Sequence, residues 1–292
     1  MMTTSRLDNL ITLRNGQAIR TRLQWLEDRV FWIGELNRSD LVGRFSISPQ
    51  QASVDIKLYQ EMAPLNLCYD RSRKLYSKGE SFQPLFEKGC EEWLNANEED
   101  GKQLRSIKLE AVRPIKRSIS PEVLMAVSRA YRQRMPLSVL YQSMKDSAAS
   151  WRTICPHTIV ETGIRWHIRA WVVEKKGFID MVPGRILETR EAPSFEWISG
   201  AADDDWNTFQ QIILVPSHTF SEAQREVIQQ DYQMVDGRKT LSIRRCLVYY
   251  QLSSMFLLDA VREFQGEPQD RNLGLAVWNW QELMMFVKDG HA

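Results

Sequence analysis

The densest chemistry in the chain lies between Arg165 and Val172. Arg165, His167, Arg169 and Trp171 occupy alternate positions, and Trp166, Ile168, Ala170 and Val172 fill the places between them. Successive side chains of a strand point to opposite faces. The second set can therefore enter a core, while the first presents two guanidiniums, an imidazole and an indole. That combination suits an anion, above all one carrying a ring, because guanidinium bonds phosphate in bidentate fashion and aromatic faces stack. A solvated strand face accounts for the same alternation.

A second group suits duplex DNA. Ser48 can cap a helix, Pro49 sits at its first position with φ already set, and Gln51 falls where a capping-box partner belongs. On that helix Ala52, Ile56, Tyr59 and Ala63 share an inward face, and Gln50, Val54 and Lys57 lie opposite, with Ser53 beside them. Gln pairs with adenine, Ser with several acceptors, Val with a thymine methyl, and Lys with phosphate or guanine. A Gln51 that closes the capping box is less free to read a base. Beyond it, Leu65–Tyr69 and Lys74–Ser77 read as two strands around a basic turn, which places Arg71, Arg73 and Lys74 near the phosphate backbone or the minor groove. An exposed helix followed by an ordinary basic hairpin is the plainer account.

The elements that must position these groups follow from periodicity. Ile19, Leu23, Leu26, Val30 and Ile33 give Gln17–Glu35 an amphipathic helix, and Arg38–Phe45 reads as a second, shorter one. With the helix after Ser48 and the basic hairpin they make a winged helix-turn-helix. Phe82–Asn95 is expected to be helical, Glu98–Gly101 a charged loop, and Arg105–Arg117, with Pro114, an extended connector. Ser120 caps a helix that starts at Pro121 and runs to about Arg134. Leu137–Ser143, Trp151–Cys155, Arg165–Val173, Phe178–Val182 and Arg185–Glu188 then read as short strands, with turns at Gly177 and Pro183-Gly184. Such a sheet can escape its edges by curling into a barrel. Asp203–Asp205 reads as an acidic loop, Gln211–Val215 and Thr240–Ile243 as strands, and Ser221 as the start of a helix. Leu247–Arg262 reads as one helix apolar nearly all round, and Leu275–Val287 as a packing tail.

Pro156-His157 followed by Arg165–Trp171 resembles the core of a WYL domain, the Sm/SH3-like small β-barrel of bacterial transcriptional regulators. Trp166-His167-Ile168 stands where the family's Trp-Tyr-Leu run would be, with Leu137–Ser143 upstream and Gly184-Arg185-Ile186 downstream. The resemblance implies a ligand site at Tyr141, Ser143, His157, His167, Arg169 and Arg185, with a nucleotide or nucleic-acid fragment as the leading ligand class. It also implies a compact α/β dimerisation domain after the barrel. The order of the whole chain resembles WYL regulators with an N-terminal winged helix, some of them associated with anti-phage defence operons. The expected fold class is α+β. Residues 1–100 would form the winged helix-turn-helix, 101–119 a linker, 120–200 the WYL domain and 201–292 the dimerisation domain.

Composition narrows the function. Lys and Arg number 38 against 37 Asp and Glu, so nucleic-acid binding requires local segregation of positive charge rather than net charge. Cys68, Cys90, Cys155 and Cys246 are scattered without metal-ligand spacing, and no third ligand accompanies His157 and His167, so no metal is expected. No phosphate loop, dinucleotide fingerprint, nucleophile elbow or carboxylate pair is present, which argues against a cofactor and against an enzyme. Met1–Asn15 carries no signal-peptide pattern, and the chain reads as soluble and cytoplasmic. The expected function is a homodimeric repressor on a pseudo-palindromic operator in double-stranded DNA, modulated by a nucleotide or oligonucleotide effector. The competing function is an RNA- or single-strand-binding module with the barrel as its reader.

Overall fold

The computed structural model describes residues 15–90, 93, 115, 117–163, 165–192, 194–270 and 274–287. The expected Glu98–Gly101 loop, most of the Arg105–Arg117 connector and the first fourteen residues lie outside the described residues. The chain divides into two compact units, Met1–Val112 and Arg113–Ala292.

In the first unit, α1 (Gly16–Ile33) ends at Gly34, whose positive φ of 89° lets its N–H reach the Val30 carbonyl. Asn37 and Asp40 close a capping box at the start of α2 (Arg38–Phe45). Ser46, left-handed at φ 51°, turns the chain toward α3 (Pro49–Met62). Leu23, Leu26 and Val30 of α1 pack against Leu41 of α2 and against Ala52, Ile56 and Tyr59 of α3. The strands β1 (Glu35–Leu36), β2 (Leu67–Asp70) and β3 (Leu75–Lys78) form an antiparallel sheet in the order β1-β3-β2, which is the wing.

Glu27 ties this unit together. It is fully buried, and its carboxylate accepts from the Tyr59 hydroxyl at 2.8 Å, from the backbone N–H groups of Leu85 and Phe86 at 2.8 and 3.0 Å, and pairs with Lys88 at 2.8 Å. These contacts correct the expected helix over Phe82–Asn95. Residues 82–89 are irregular, and helix begins only at Cys90. Pro84 and two N–H groups aimed at a carboxylate cannot serve in the middle of a helical ladder.

The second unit opens with α4 (Pro121–Gln133), where Ser120 Oγ accepts from the Val123 N–H at 3.3 Å and Pro121 takes the first position. The strands β4 (Leu137–Tyr141), β5 (Ser150–Glu161), β6 (Trp166–Val172), β7 (Gly177–Met181) and β8 (Ile186–Glu191) form one antiparallel sheet, ordered β7-β6-β5-β4-β8. This sheet is open, a correction to the closed barrel, because β7 and β8 do not pair among the described residues. Its apolar face is covered by α4 instead. Val123, Val127 and Ala130 share a core with Val139, Ile154, Ile168 and Ala170. The hairpin at Thr162-Gly163 joins β5 and β6, and β5 is far longer than Trp151–Cys155, with a bulge between Pro156 and Thr158.

Asp203 caps the single-turn α5 (Asp204–Asn207) and is 1% exposed, so the expected acidic loop is a built element. The strands β9 (Phe209–Pro216), β10 (Lys239–Arg244) and β11 (Leu275–Val277) make a second antiparallel sheet, with β9 central. Between its strands lie α6 (Glu222–Asp231), α7 (Val248–Ser254) and α8 (Leu258–Arg262), and α9 (Trp280–Val287) follows β11. The expected helix over Leu247–Arg262 is broken at Phe256, which adopts φ 58° and is 77% exposed. Asn279 clamps α9 to β9, accepting from the Ile213 N–H and donating to the Gln211 carbonyl, each at 2.9 Å.

Replacing Glu27 with Ala should destabilise the first unit by about 3–5 kcal/mol, since removing one partner leaves Lys88 charged, buried and half satisfied. Thermal denaturation followed by circular dichroism should show an earlier first transition, and an unchanged melting curve refutes this role.

Candidate functional site

Strand β6 is buried on both faces. Ile168, Ala170 and Val172 enter the core as their alternation requires. Trp166, at the strand's open end, is 38% exposed, which corrects its place in the core set. On the other face His167 is 2% and Arg169 6% exposed.

Arg169 holds two carboxylates. Its Nε donates to Asp203 Oδ2 at 2.7 Å and a terminal nitrogen donates to Oδ1 at 3.0 Å, while the other reaches Asp180 Oδ1 at 3.2 Å. Asp203 also accepts from the Trp206 N–H at 3.2 Å, and Asp180 accepts from the Tyr250 hydroxyl of α7 at 3.0 Å. Burial alone would raise the Asp203 carboxyl, and Arg169 outweighs it, holding the group below its ordinary range. His157 lies in the bulge of β5, its Nε2 at 3.0 Å from Asp203 Oδ2 and its Nδ1 at 2.9 Å from the Thr158 hydroxyl. Burial depresses its pKa against the pull of Asp203, so a neutral ring donates Nε2–H to the carboxylate. Position 200 must be glycine for this packing, because a Cβ there would fall 2.7 Å from the His157 ring.

His167 is different. Arg165 Nε donates to its Nε2 at 3.1 Å, its ring lies 4.7 Å from that of Tyr250, and its buried Nδ1 has no partner among the described residues. Burial first, then the charges of Arg165, Arg185 and Arg117, push its pKa down to about 4. Cys246, beside it, has its thiol pushed up to about 12 by burial. Arg165, His167, Cys246, Tyr250 and Phe286 help line a cleft of about 350 Å³ between the five-stranded sheet and the C-terminal helices. Tyr141 is a core residue whose hydroxyl accepts from the Val182 N–H at 3.2 Å, and Ser143 Oγ accepts from the Lys145 N–H at 3.1 Å. Arg185 lies in the 3-10 turn before β8 and opens onto a second cavity, of about 390 Å³, shared with Arg117, Arg165 and Trp166.

Of the six residues implied by resemblance, His167 and Arg169 line the cleft of about 350 Å³ together, and the other four stand outside its lining. His157 and Arg169 meet at Asp203, Tyr141 and Ser143 serve the fold, and Arg185 faces a cavity whose other cations are Arg117 and Arg165. Asp203 carries no mark in the sequence, because nothing in a run of three aspartates says which will be buried.

On the first unit, Ser48 Oγ accepts from the Gln51 N–H at 3.1 Å, but the Gln51 side chain turns to Asp55 Oδ1 at 2.9 Å rather than closing the box. Asp55 is buried and gripped by Arg22 at 2.6 and 3.1 Å. Gln50, Ser53, Val54 and Lys57 are exposed, although the Ser53 hydroxyl donates to the Pro49 carbonyl at 3.0 Å. Arg71, Arg73 and Lys74 are exposed at the tip of the wing, with Arg73 held by Glu35 at 2.6 Å.

Three family models match in this order. They are the BrxR transcriptional regulator winged helix-turn-helix domain over residues 18–96, the WYL domain over 122–190, and the BrxR transcriptional regulator C-terminal dimerization domain over 209–282. Among curated proteins, the DNA-binding transcriptional repressor CapW of Escherichia coli is 35% identical over 285 residues, 91% of each chain. CapW of Pseudomonas aeruginosa is 31% identical over 279 residues, again 91% of each. The chain belongs to this CapW family. A solved structure, the proteasome accessory factor B/C (PafBC) of Arthrobacter aurescens, is 13% identical with a TM-score of 0.31, and the match covers 92% of this chain and 46% of that one.

In this CapW-family chain Arg169 is paired with two carboxylates, Asp203 and Asp180, at the wall of the cleft. Arg169→Ala should destabilise the second unit by about 3–5 kcal/mol, because Asp203 and Asp180 would be left buried without their cation. Urea denaturation followed by intrinsic fluorescence measures it, and an unchanged midpoint refutes it.

His167 sets a pH dependence. Below its ordinary value of 6.5 the unfolded imidazole takes up a proton that the folded one refuses until about pH 4, so stability falls as pH falls through that window. His167→Gln should flatten the dependence of the urea midpoint on pH across the same window. An unchanged slope would show that another group titrates there.

Proposed function

We propose that this chain is a DNA-binding transcriptional repressor that acts as a homodimer on a pseudo-palindromic duplex operator. Its five-stranded sheet senses a nucleotide or oligonucleotide effector, and the regulated genes form an anti-phage defence operon. The domain division that goes with this reading is 1–100, 101–119, 120–200 and 201–292. The observation that carries it is the exposed face of α3, where Gln50, Val54 and Lys57 stand clear of the core beside a wing tipped with Arg71, Arg73 and Lys74. An exposed helix face of this size enters a major groove, and cations on a neighbouring hairpin reach the flanking phosphates. The relatives named as repressors support the regulatory sense, and the C-terminal dimerization model supports the two-fold. The arginines at the edge of the sheet, Arg117, Arg165 and Arg185, line a cavity with no carboxylate among its described lining residues, which supports a polyanionic effector.

The test is a gel shift of the full chain on duplex DNA from its own promoter, against single-stranded DNA and RNA of the same sequence. Duplex preference is expected, with sedimentation giving twice 34.1 kDa. Gln50→Ala should relax preference at one base position, a good contact being worth about 1–3 kcal/mol. Arg71→Ala or Lys74→Ala should weaken all sequences alike and lower the salt slope by about one. Equal binding to duplex and single strands would favour a single-strand module instead.

A further inference from the structure

Gln51 lies in the first turn of α3, where its backbone N–H is taken by Ser48 Oγ at 3.1 Å. Its side-chain amide turns away from the cap, and Nε2 donates to Asp55 Oδ1 at 2.9 Å, one helical turn further on. Asp55 is in turn fixed from α1. Arg22 Nε donates to Oδ2 at 2.6 Å and Arg22 Nη2 to Oδ1 at 3.1 Å, a bidentate pair in which Asp55 is 1% exposed. The guanidinium and the amide therefore share Oδ1.

The polarity of the Gln51 amide follows from the chemistry of Asp55. A carboxylate accepts hydrogen bonds and donates none, so it takes the NH2 end of the amide and leaves the oxygen at the other end. Turning the amide over would bring Oε1 against Oδ1, acceptor against acceptor, in a half-buried place where water does not screen them well. A free glutamine has no such constraint. It can offer NH2 to guanine O6 and N7 or to thymine O4, or its oxygen to a base amino group. Gln51, half-buried beside the exposed Gln50 and Val54, keeps its oxygen and one N–H to offer. In the major groove adenine presents an amino donor, N6, beside an acceptor, N7. Cytosine presents the amino donor without that acceptor, and guanine and thymine present no amino donor there.

We propose that Gln51 reads adenine in the major groove, its oxygen accepting from N6 and its remaining N–H donating to N7. Asp55 and Arg22 are the positioning residues that set this choice. Neither touches the base. Asp55 acts by holding the amide, and Arg22 by holding Asp55 across from α1. Apolar side chains at positions 22 and 55 could pack with less desolvation, but they would leave the amide free to turn over. This rests on the duplex-reading function of α3 above and adds to it the base, its atoms and the two inner residues that select them.

The experiment measures binding of the full chain to a duplex spanning its footprint on its own promoter, with each base pair replaced in turn by the other three. At one position in each half-site adenine should be preferred over guanine by about 5- to 150-fold, the range of a bidentate contact. Replacing that adenine with purine, which lacks only the N6 amino group, should cost the wild type a similar factor. Gln51→Met keeps the length of the side chain without its amide, and it should lose both discriminations. Asp55→Asn can face Gln51 with either end of its own amide, so the adenine-to-guanine ratio should fall toward one while the salt slope stays as in wild type. An Asp55 that served only the fold would weaken every sequence alike. Should Asp55→Asn fail to fold, Arg22→Lys carries the same test, because a single ammonium lacks the fork that fixes Asp55 and should lower the same ratio. An unchanged ratio in the folded variant removes the positioning role and overturns the proposal. If Gln51→Met keeps every wild-type base preference, Gln51 reads no base, and the proposal fails while duplex recognition stands. Preference for guanine, thymine or cytosine at the position that Gln51 controls also overturns it. If the wild type prefers no base at any position, the duplex-reading function fails first.

Discussion

The carboxylate of Asp203 is the constraint on which the larger unit depends. It is reached from three directions, by the guanidinium of Arg169 on β6, by the ring of His157 on β5, and by the backbone N–H of Trp206 in the helix it caps. Desolvating a carboxylate and a guanidinium costs several kcal/mol per ion, and here the cost is offset only because nearly every donor around the carboxylate is aimed at it. The five-stranded sheet and the segment leading to the second sheet therefore share one charge pair. Neither can separate from the other without stranding a buried ion. This accounts for why two domains recognised separately by family models form a single compact unit.

Much of the architecture was legible in the sequence, and the reasons differ by element. Ser48-Pro49 and Ser120-Pro121 announce their helices because capping is local chemistry. The alternation through β6 gives its core face, since Ile168, Ala170 and Val172 face one way whatever lies opposite. What covers the other face is a tertiary fact. A segment some thirty residues away supplies it, and no period or motif records that distance. The break at Phe256 is hidden for a related reason, because an apolar run gives no sign of where its helix will stop. The open sheet in place of a barrel follows from α4, which takes the apolar face that curling would otherwise close over. Of the site residues, the exposed set on α3 follows from helical spacing, whereas the fate of Arg169 turns on a partner that the sequence does not mark.

The charge balance fits this division. A chain with nearly equal numbers of cations and anions can still carry strongly basic places if its acids are used elsewhere. Glu27, Asp55, Asp180 and Asp203 are all taken up by internal partners, so they do not screen the wing or the rim of the sheet. Buried acids matched to buried bases set the geometry, and the cations left over set where polyanions can be attracted.

The polar residues of α3 differ in how much freedom each retains. Gln51 is tied to Asp55 and the Ser53 hydroxyl to the turn below it, so both are ordered before any partner arrives. Gln50 and Lys57 are long and exposed, and fixing either side chain costs up to about 1.5–2 kcal/mol of rotamer entropy. Val54, branched at Cβ, has little to lose. A groove that engages this helix therefore meets a stiff apolar point flanked by two flexible polar arms. The entropic penalty of the arms grows with temperature, so the balance of recognition shifts toward the methyl contact of Val54 as the solution warms.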